Sequence, residues 1–299
     1  MELRHLRYFC TVAEELNMTR AAQRLCIAQP PLTRQIKQLE EEVGVSLFRR
    51  EPRGLSLTPA GKFFLDQTTQ ILERVTNAVE ATQLVAQTGR MVFGIGFVPT
   101  LFYGQLPLLI RQLRQNDTVE IVLSELVTLQ QIQALKAGRI DIGFGRIRIE
   151  DPLVEQEMLF DEPIVAALPC THPLAKLSPS LSELAKFPLI TFPATPHPNF
   201  SDIILGLFRR RGLETKVVQQ TNEVQTALGL VAADMGFTLV PDVVRRVQRD
   251  GVVYVPLAEG NITSPIFCSR RKETPSDVMR QANEILRELV ENRLAGRFP

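Results

Sequence analysis

Gln29, Thr33, Arg34 and Lys37 are spaced so that one helix through them carries all four on its outward side. These are side chains that read and grip DNA. Gln pairs with adenine edges, Arg with guanine, and Thr or Lys with bases or phosphates. Residues 18–37, MTRAAQRLCIAQPPLTRQIK, hold Arg20, Arg24, Arg34 and Lys37 and no Asp or Glu, so the positive charge there is unopposed. A second set of polar residues sits at predicted strand ends and helix starts. Thr100 follows a strand over 91–98, Thr128 opens a helix over 129–137, and Arg146 follows a strand over 140–144 in GFGR. Asn199 and Phe200 open a further helix. Hydroxyls and free helix amides at the carboxyl ends of strands suit a carboxylate, and Arg146 suits a two-pronged pairing with one.

The first set needs two short helices and a tight turn to position it. Ala21, Ala22 and Leu25 share one helical face, Leu32, Ile36 and Leu39 another, and Cys26-Ile27-Ala28 leaves room only for a turn. That is a helix-turn-helix pattern, whose second helix lies in a major groove. Ahead of it, Leu3, Leu6, Phe9, Val12, Ala13 and Leu16 predict a helix with one buried stripe. Asn17 and Thr19 both suit a cap for the second helix. Pro30 and Pro31 fit the first turn of the third, where a missing N–H costs little, and would press on the DNA backbone or thymine methyls. Glu40, Glu41 and Glu42 at its far end would repel phosphate, so that end should point away from DNA. Gly44 ends the helix. Two short alternating runs over 45–48 and 55–57 then flank Arg49, Arg50 and Arg53, with Pro52 and Gly54 as the turn. A basic-tipped hairpin in that place is a wing.

Thr58-Pro59 opens a long helix reaching about residue 89. Phe64, Thr68, Ile71, Val75, Ala78, Thr82 and Val85 follow alternating steps of four and three, which predicts a seam against a second copy of the helix. From residue 90 onward strand and helix patterns alternate, which argues for parallel α/β sheets. So many strands over that length suggest two lobes, crossed near 160–164 and 264–268, with the helix 276–293 returning to the first. Two lobes hold a small ligand in the cleft between them.

Composition bounds the rest. The net charge is +1, so nucleic-acid binding must come from a local patch; residues 1–58 hold nine Lys/Arg against seven Asp/Glu. The four cysteines, Cys10, Cys26, Cys170 and Cys268, form no CxxC, and with three scattered histidines predict neither a zinc site nor any other metal or cofactor. Charges scattered through MELRHLRYF leave no signal peptide, and no run spans a membrane, so a reducing cytoplasm is expected. Gly94-Ile-Gly96-Phe-Val-Pro99 starts like a dinucleotide loop but places Pro99 where the third glycine is needed. With no GxSxG, HExxH or phosphate-loop lysine, an enzyme is not expected. An exported solute-binding protein would share the lobes but not the basic head.

Residues 1–61 resemble the N-terminal head of LysR-type transcriptional regulators in MELRHLRYF, TRAAQRL, AQPPLTRQIKQLEEEVG, LF-RR and LTPAG. Ala28 departs from the pattern, since many members carry Ser there as the cap. The resemblance implies an α/β chain in three parts: a winged helix-turn-helix at 1–58, a linker dimerisation helix at 59–89, and a two-lobed effector-binding domain at 90–299 built like a periplasmic binding protein. Lobe I would be about 90–161 with 267–299, and lobe II about 162–266. The expected DNA contacts are Arg20, Gln29, Pro30, Pro31, Thr33, Arg34, Lys37, Arg50 and Arg53. The expected dimer seam is Phe64, Ile71, Val75, Ala78 and Val85.

GFVPT, TLQQIQALKAGRIDIGFGRIRI, PHPNFSD and NEVQTALGLVAADMGFTLVP further resemble the branch that controls aromatic-compound breakdown through catechol and senses cis,cis-muconate or chlorinated relatives. By position, that resemblance makes Thr100, Thr128, Asn199 and Phe200 the holders of muconate carboxylates. Val224, Gln225 and Ile266 would line the same cleft, with Arg146 at its edge. Double-stranded promoter DNA, a small carboxylate inducer such as muconate, chloromuconate or benzoate, a homodimer or homotetramer, and RNA polymerase are the implied partners.

Overall fold

The apolar stripe of the first helix decides where the head's core sits. In the computed structural model, which describes residues 1–51 and 54–295, Leu6, Phe9 and Val12 of helix α1 (Leu3–Glu15) are buried against Ala21 and Ala22 of α2 (Met18–Arg24) and Leu32, Ile36 and Leu39 of α3 (Gln29–Val43). Asn17, not Thr19, caps α2: its Oδ1 accepts the amides of Thr19 and Arg20 at 2.9 and 3.1 Å. α3 starts at Ala28 with no side-chain cap and ends at Gly44, whose φ of +80° is the left-handed conformation glycine adopts without steric cost. Glu40 has a structural task that its sequence setting did not suggest. Its Oε1 accepts the amides of Leu47 and Phe48 at 2.7 and 3.0 Å and so fixes the start of the wing. The wing is β1 (Phe48–Glu51) paired antiparallel with β2 (Gly54–Leu57). Pro52 and Arg53, expected at its tip, lie outside the described residues.

α4 (Pro59–Thr88) follows, opened by Thr58, whose Oγ1 accepts the Gly61 amide at 2.9 Å. Its first turns belong to the head. The Phe64 ring lies 5.1 Å from that of Phe9, and the fully buried Thr68 meets Cys10. Phe64 is thus corrected from dimer seam to head core, because the long helix packs one face on its own chain before it is free to meet another. From Ile71 onward the seam is open: Ile71 is 46% exposed, Val85 39%, Ala78 is exposed and Val75 half-buried.

The chain divides into two compact units, Met1–Gln83 and Leu84–Pro299. The second begins with β3 (Met91–Phe97), a 3-10 turn at Pro99–Tyr103, α5 (Leu106–Leu113), β4 (Val119–Glu125), α6 (Thr128–Lys136) and β5 (Ile142–Gly145). β6 (Val154–Pro169), α7 (Leu181–Leu184), β7 (Leu189–Thr191), α8 (Phe200–Arg209), β8 (Val217–Gln220), α9 (Val224–Ala232) and β9 (Thr238–Pro241) come next. A 3-10 turn at Asp242–Arg246, β10 (Val252–Pro256), β11 (Thr263–Arg271) and α10 (Asp277–Leu294) complete it.

β3 pairs parallel with β4 and β5, and β7 pairs parallel with β8. The expectation of parallel sheets fails for β6, β9, β10 and β11, whose pairings are antiparallel. The reason is topological. β6 carries the chain out of lobe I and β11 brings it back, so the two lie side by side in opposite directions. Residues of β6 up to Pro163 pair with β11, and those from Ile164 onward pair with β9 and β10. Each lobe keeps its own core: Phe93, Ile95, Leu109, Ile142 and Cys268 in lobe I, and Leu168, Leu189, Phe208, Leu228 and Phe237 in lobe II. No helix among the described residues is long and apolar enough to cross a membrane.

Candidate functional site

Two surfaces collect the polar residues singled out above. On the head, Gln29, Pro30, Pro31 and Arg34 are exposed along the first turns of α3, whose uncapped N-terminal amides carry positive potential. Thr33 is half-buried and its hydroxyl bonds back to the Gln29 carbonyl at 3.1 Å. Lys37 is exposed and pairs loosely with Glu41 at 3.6 Å. Arg50 is exposed on β1. Arg20 differs from the expectation: it is bound to the Glu15 carbonyl at 2.5 Å and carboxylate at 3.4 Å, because the C-terminal carbonyls of α1 attract a cation. Among the described residues no such partner meets Arg34, whose exposed guanidinium is available to a base edge. Arg34→Ala is expected to cost about 1–3 kcal/mol on the specific DNA site and far less on random DNA. Equal losses on both in a gel-shift titration would remove the base contact.

The second surface is a cavity of about 220 Å³ between the lobes. That is smaller than the ~300–1,000 Å³ of pockets for drug-sized ligands, so it suits a small molecule. Thr100, Thr128, Arg146, Asn199, Phe200 and Val224 all line it. The N-termini of α6, α8 and α9 and of the Pro99–Tyr103 turn meet there, because strand ends and helix starts share one side of each sheet. α6 begins after Val127, which has no polar atom with which to cap, and Glu223 makes no side-chain cap on α9. Elsewhere α2, α7 and α10 are capped by Asn17, Ser180 and Ser276. In α8 the Asn199 side chain is engaged at both its oxygen and its nitrogen. Its Oδ1 accepts the Ser201 amide and its Nδ2 donates to the Pro196 carbonyl, both at 2.9 Å, which leaves the Phe200 amide for a ligand. Val98, Ile147, Phe192 and Phe200 supply apolar walls.

Arg146 is the residue whose placement differs most from expectation. It is 3% exposed, and its guanidinium is already matched by Glu162, 2% exposed, at 2.5 Å, with Ser264 Oγ at 3.4 Å. Burial pulls its pKa down, and the Glu162 carboxylate opposes that pull. A ligand carboxylate therefore does not meet a free arginine fork. Arg146 acts on the threonines instead. Its Nε donates to Thr100 Oγ1 and its backbone N–H donates to Thr128 Oγ1, both at 3.2 Å. With an acceptor site on each oxygen occupied, each hydroxyl keeps its proton for an acceptor in the cavity. Glu162 was missed in the sequence, where it stands among Glu155, Glu157 and Asp161 and reads as one of a solvated acidic run.

Gly145 is the second missed residue. A Cβ there would collide with Thr128 Oγ1, so only glycine lets that hydroxyl lie against the strand end. Gly145→Ala should displace Thr128 and weaken carboxylate binding by about tenfold or more. Calorimetry would read this, and an unchanged affinity would contradict it. Two further residues lie off the cavity. Gln225 turns away to Tyr103, and Ile266, on β11, is buried in the lobe I core and lines a separate cavity of about 40 Å³. Among the described residues no group of three or more His, Cys, Asp or Glu is placed to hold a metal ion.

Comparison with known proteins matches both parts of the chain. Residues 3–62 match the model of the bacterial regulatory helix-turn-helix proteins of the lysR family, and residues 86–291 match the LysR substrate binding domain. The chain is 48% identical to the HTH-type transcriptional regulator CatR of Pseudomonas putida, over 97% of this chain and all of that one. It is 40% identical to BenM of Acinetobacter baylyi, over 97% of this chain and 96% of that one. Full-length BenM superposes with a TM-score of 0.64 over 98% of each chain. Full-length CbnR in complex with its target DNA superposes with a TM-score of 0.66 at 30% identity, over 97% of this chain and all of that one. With a DNA-binding head and a two-lobed ligand-binding body both accounted for, the chain belongs to the LysR family of transcriptional regulators.

Proposed function

We propose that this regulator activates an operon for aromatic-compound breakdown when a small dicarboxylate of the cis,cis-muconate type occupies the interlobe cleft. The observation that carries the reading is the convergence of helix N-termini, two of them without side-chain caps, on one small cavity with apolar walls. Orphan amides need acceptors, and an anion is the acceptor that helix dipoles favour. The Thr100 and Thr128 hydroxyls add two donors, and the apolar walls suit an unsaturated carbon chain. Among the described residues the one arginine in the lining, Arg146, is neutralised by Glu162, so a ligand is held by hydrogen bonds rather than trapped by a bare charge. The solved effector-binding domain of BenM in complex with its effector benzoate supports a carboxylate as the ligand class.

The experiment is calorimetric titration of the full-length protein with cis,cis-muconate, chloromuconate, benzoate and the uncharged muconic diamide. The acids should bind and the diamide should not. Binding of the diamide as tight as that of the acids would remove the anion from the reading.

The protein would act in the cytoplasm as a dimer or tetramer, reaching paired half-sites on promoter DNA and touching RNA polymerase. The exposed apolar face of α4 from Ile71 to Val85 supports the pairing. Val75→Glu would bury a charge in that seam and should convert dimers to monomers in sedimentation. A mutant that stays dimeric would place the interface elsewhere.

A further inference from the structure

We infer that Tyr103 is a positioning residue that fixes the span of the ligand cleft and thereby selects ligand length. The inference rests on the carboxylate reading of the cleft given above. Tyr103 ends the five-residue 3-10 turn whose second residue is Thr100, so the two move as one piece. Its ring belongs to a lobe I element yet packs on the lobe II core. Its hydroxyl accepts a hydrogen bond from Gln225 Nε2 at 2.8 Å, and its carbonyl accepts one from Arg246 Nη1 at 3.4 Å. Gln225 is the second residue of α9, next to Val224, which lines the cavity. Arg246 ends the 3-10 turn Asp242–Arg246, which packs against the turn carrying Tyr103. Tyr254 Oη steadies the end of that second turn through the Val247 carbonyl at 3.0 Å.

The crossing strands β6 and β11 also join the lobes, and within the cleft the Arg146 guanidinium lies 5.8 Å from the centre of the Phe200 ring. Crossing strands form a hinge, about which the lobes can open and close. A side-chain tether away from the strands adds a second fixed point, and two points set an angle where one does not. Tyr103 thus couples the Thr100 hydroxyl in lobe I to the first amides of α9 in lobe II. The separation of those groups is the length a dicarboxylate must match.

The test compares full-length wild type with Tyr103→Phe, titrated by calorimetry with succinate, cis,cis-muconate and suberate, a series of increasing length. Phenylalanine keeps the ring packing and removes only the hydroxyl. Wild type should prefer one length, and the variant should lose about two- to tenfold affinity for that acid while its preference flattens. A cycle with Gln225→Leu should give a double variant little worse than either single one, because both delete the same bond. Three results would overturn the assignment of Tyr103: unchanged affinities, an equal loss for all three acids, or additive losses in the cycle. Wild type that binds none of the acids would instead overturn the carboxylate reading, and this inference with it.

Discussion

A Thr128→Val protein will bind cis,cis-muconate on the order of ten- to a hundredfold more weakly than wild type while keeping its affinity for DNA. The substitution keeps the β-branched shape and removes one hydroxyl. A hydrogen bond to a charged group contributes about 1.5–3 kcal/mol, and 1.4 kcal/mol is a factor of ten in affinity. Thr128 is 2% exposed, and its oxygen is fixed between the Arg146 amide and the strand end at Gly145. The head belongs to a separate compact unit, so operator binding should not change. Fluorescence or calorimetric titration reads the first effect and a gel shift the second. An unchanged muconate affinity would take Thr128 out of the site.

Glu162→Ala will be the most destabilising single substitution in the second unit near the cleft. It leaves the Arg146 guanidinium buried without its carboxylate, and breaking one partner out of a buried pair costs about 3–5 kcal/mol. Arg293, whose guanidinium lies 4.2 Å from the centre of the Phe160 ring and 3.9 Å from Glu162, would also lose its acid. For a unit of this size the loss corresponds to a fall of roughly 6–20 °C in the midpoint of its thermal transition. The double variant Arg146→Met/Glu162→Leu should recover most of that stability, since apolar replacement of a whole buried pair is often neutral. It should not recover muconate binding, because nothing would then orient the Thr100 hydroxyl. A Glu162→Ala midpoint within about 2 °C of wild type would show that water reaches Arg146 and that the pair is not closed off.

The head was legible because its signals are local. Periods of three and four, prolines in a first turn and a glycine after a last one each report on residues a few positions away. Phe64 was misassigned for the complementary reason. A seam of apolar residues along α4 looks uniform, and only the position of Phe9, far back in the chain, divides it into a part facing the head and a part facing outward. The helix starts at Thr128 and Phe200 were visible, since strand ends and helix openings leave local patterns. What Arg146 does was not, because Glu162 reaches it through the pairing of β6 with β11, and that pairing depends on the whole topology. β6 itself escaped detection over half its length. Four acids between Glu155 and Glu162 interrupt the apolar alternation; three of them are exposed, Glu155 and Glu157 pairing with Arg270, while Glu162 is buried. The antiparallel crossing explains Ile266 as well: β11 pairs with β5 on one side and β6 on the other, which puts Ile266 inside lobe I rather than at the mouth of the cleft.

The measurement that tests the central claim most directly is in vitro transcription from the promoter beside the protein's own gene, with RNA polymerase and the full-length protein, over a titration of cis,cis-muconate. Transcript should rise with muconate only when the protein is present. The half-maximal concentration should match the calorimetric affinity of the wild-type cleft and shift upward with Thr128→Val. A transcript level that ignores muconate, or that responds identically with Thr128→Val, would contradict a regulator switched by a carboxylate between its lobes.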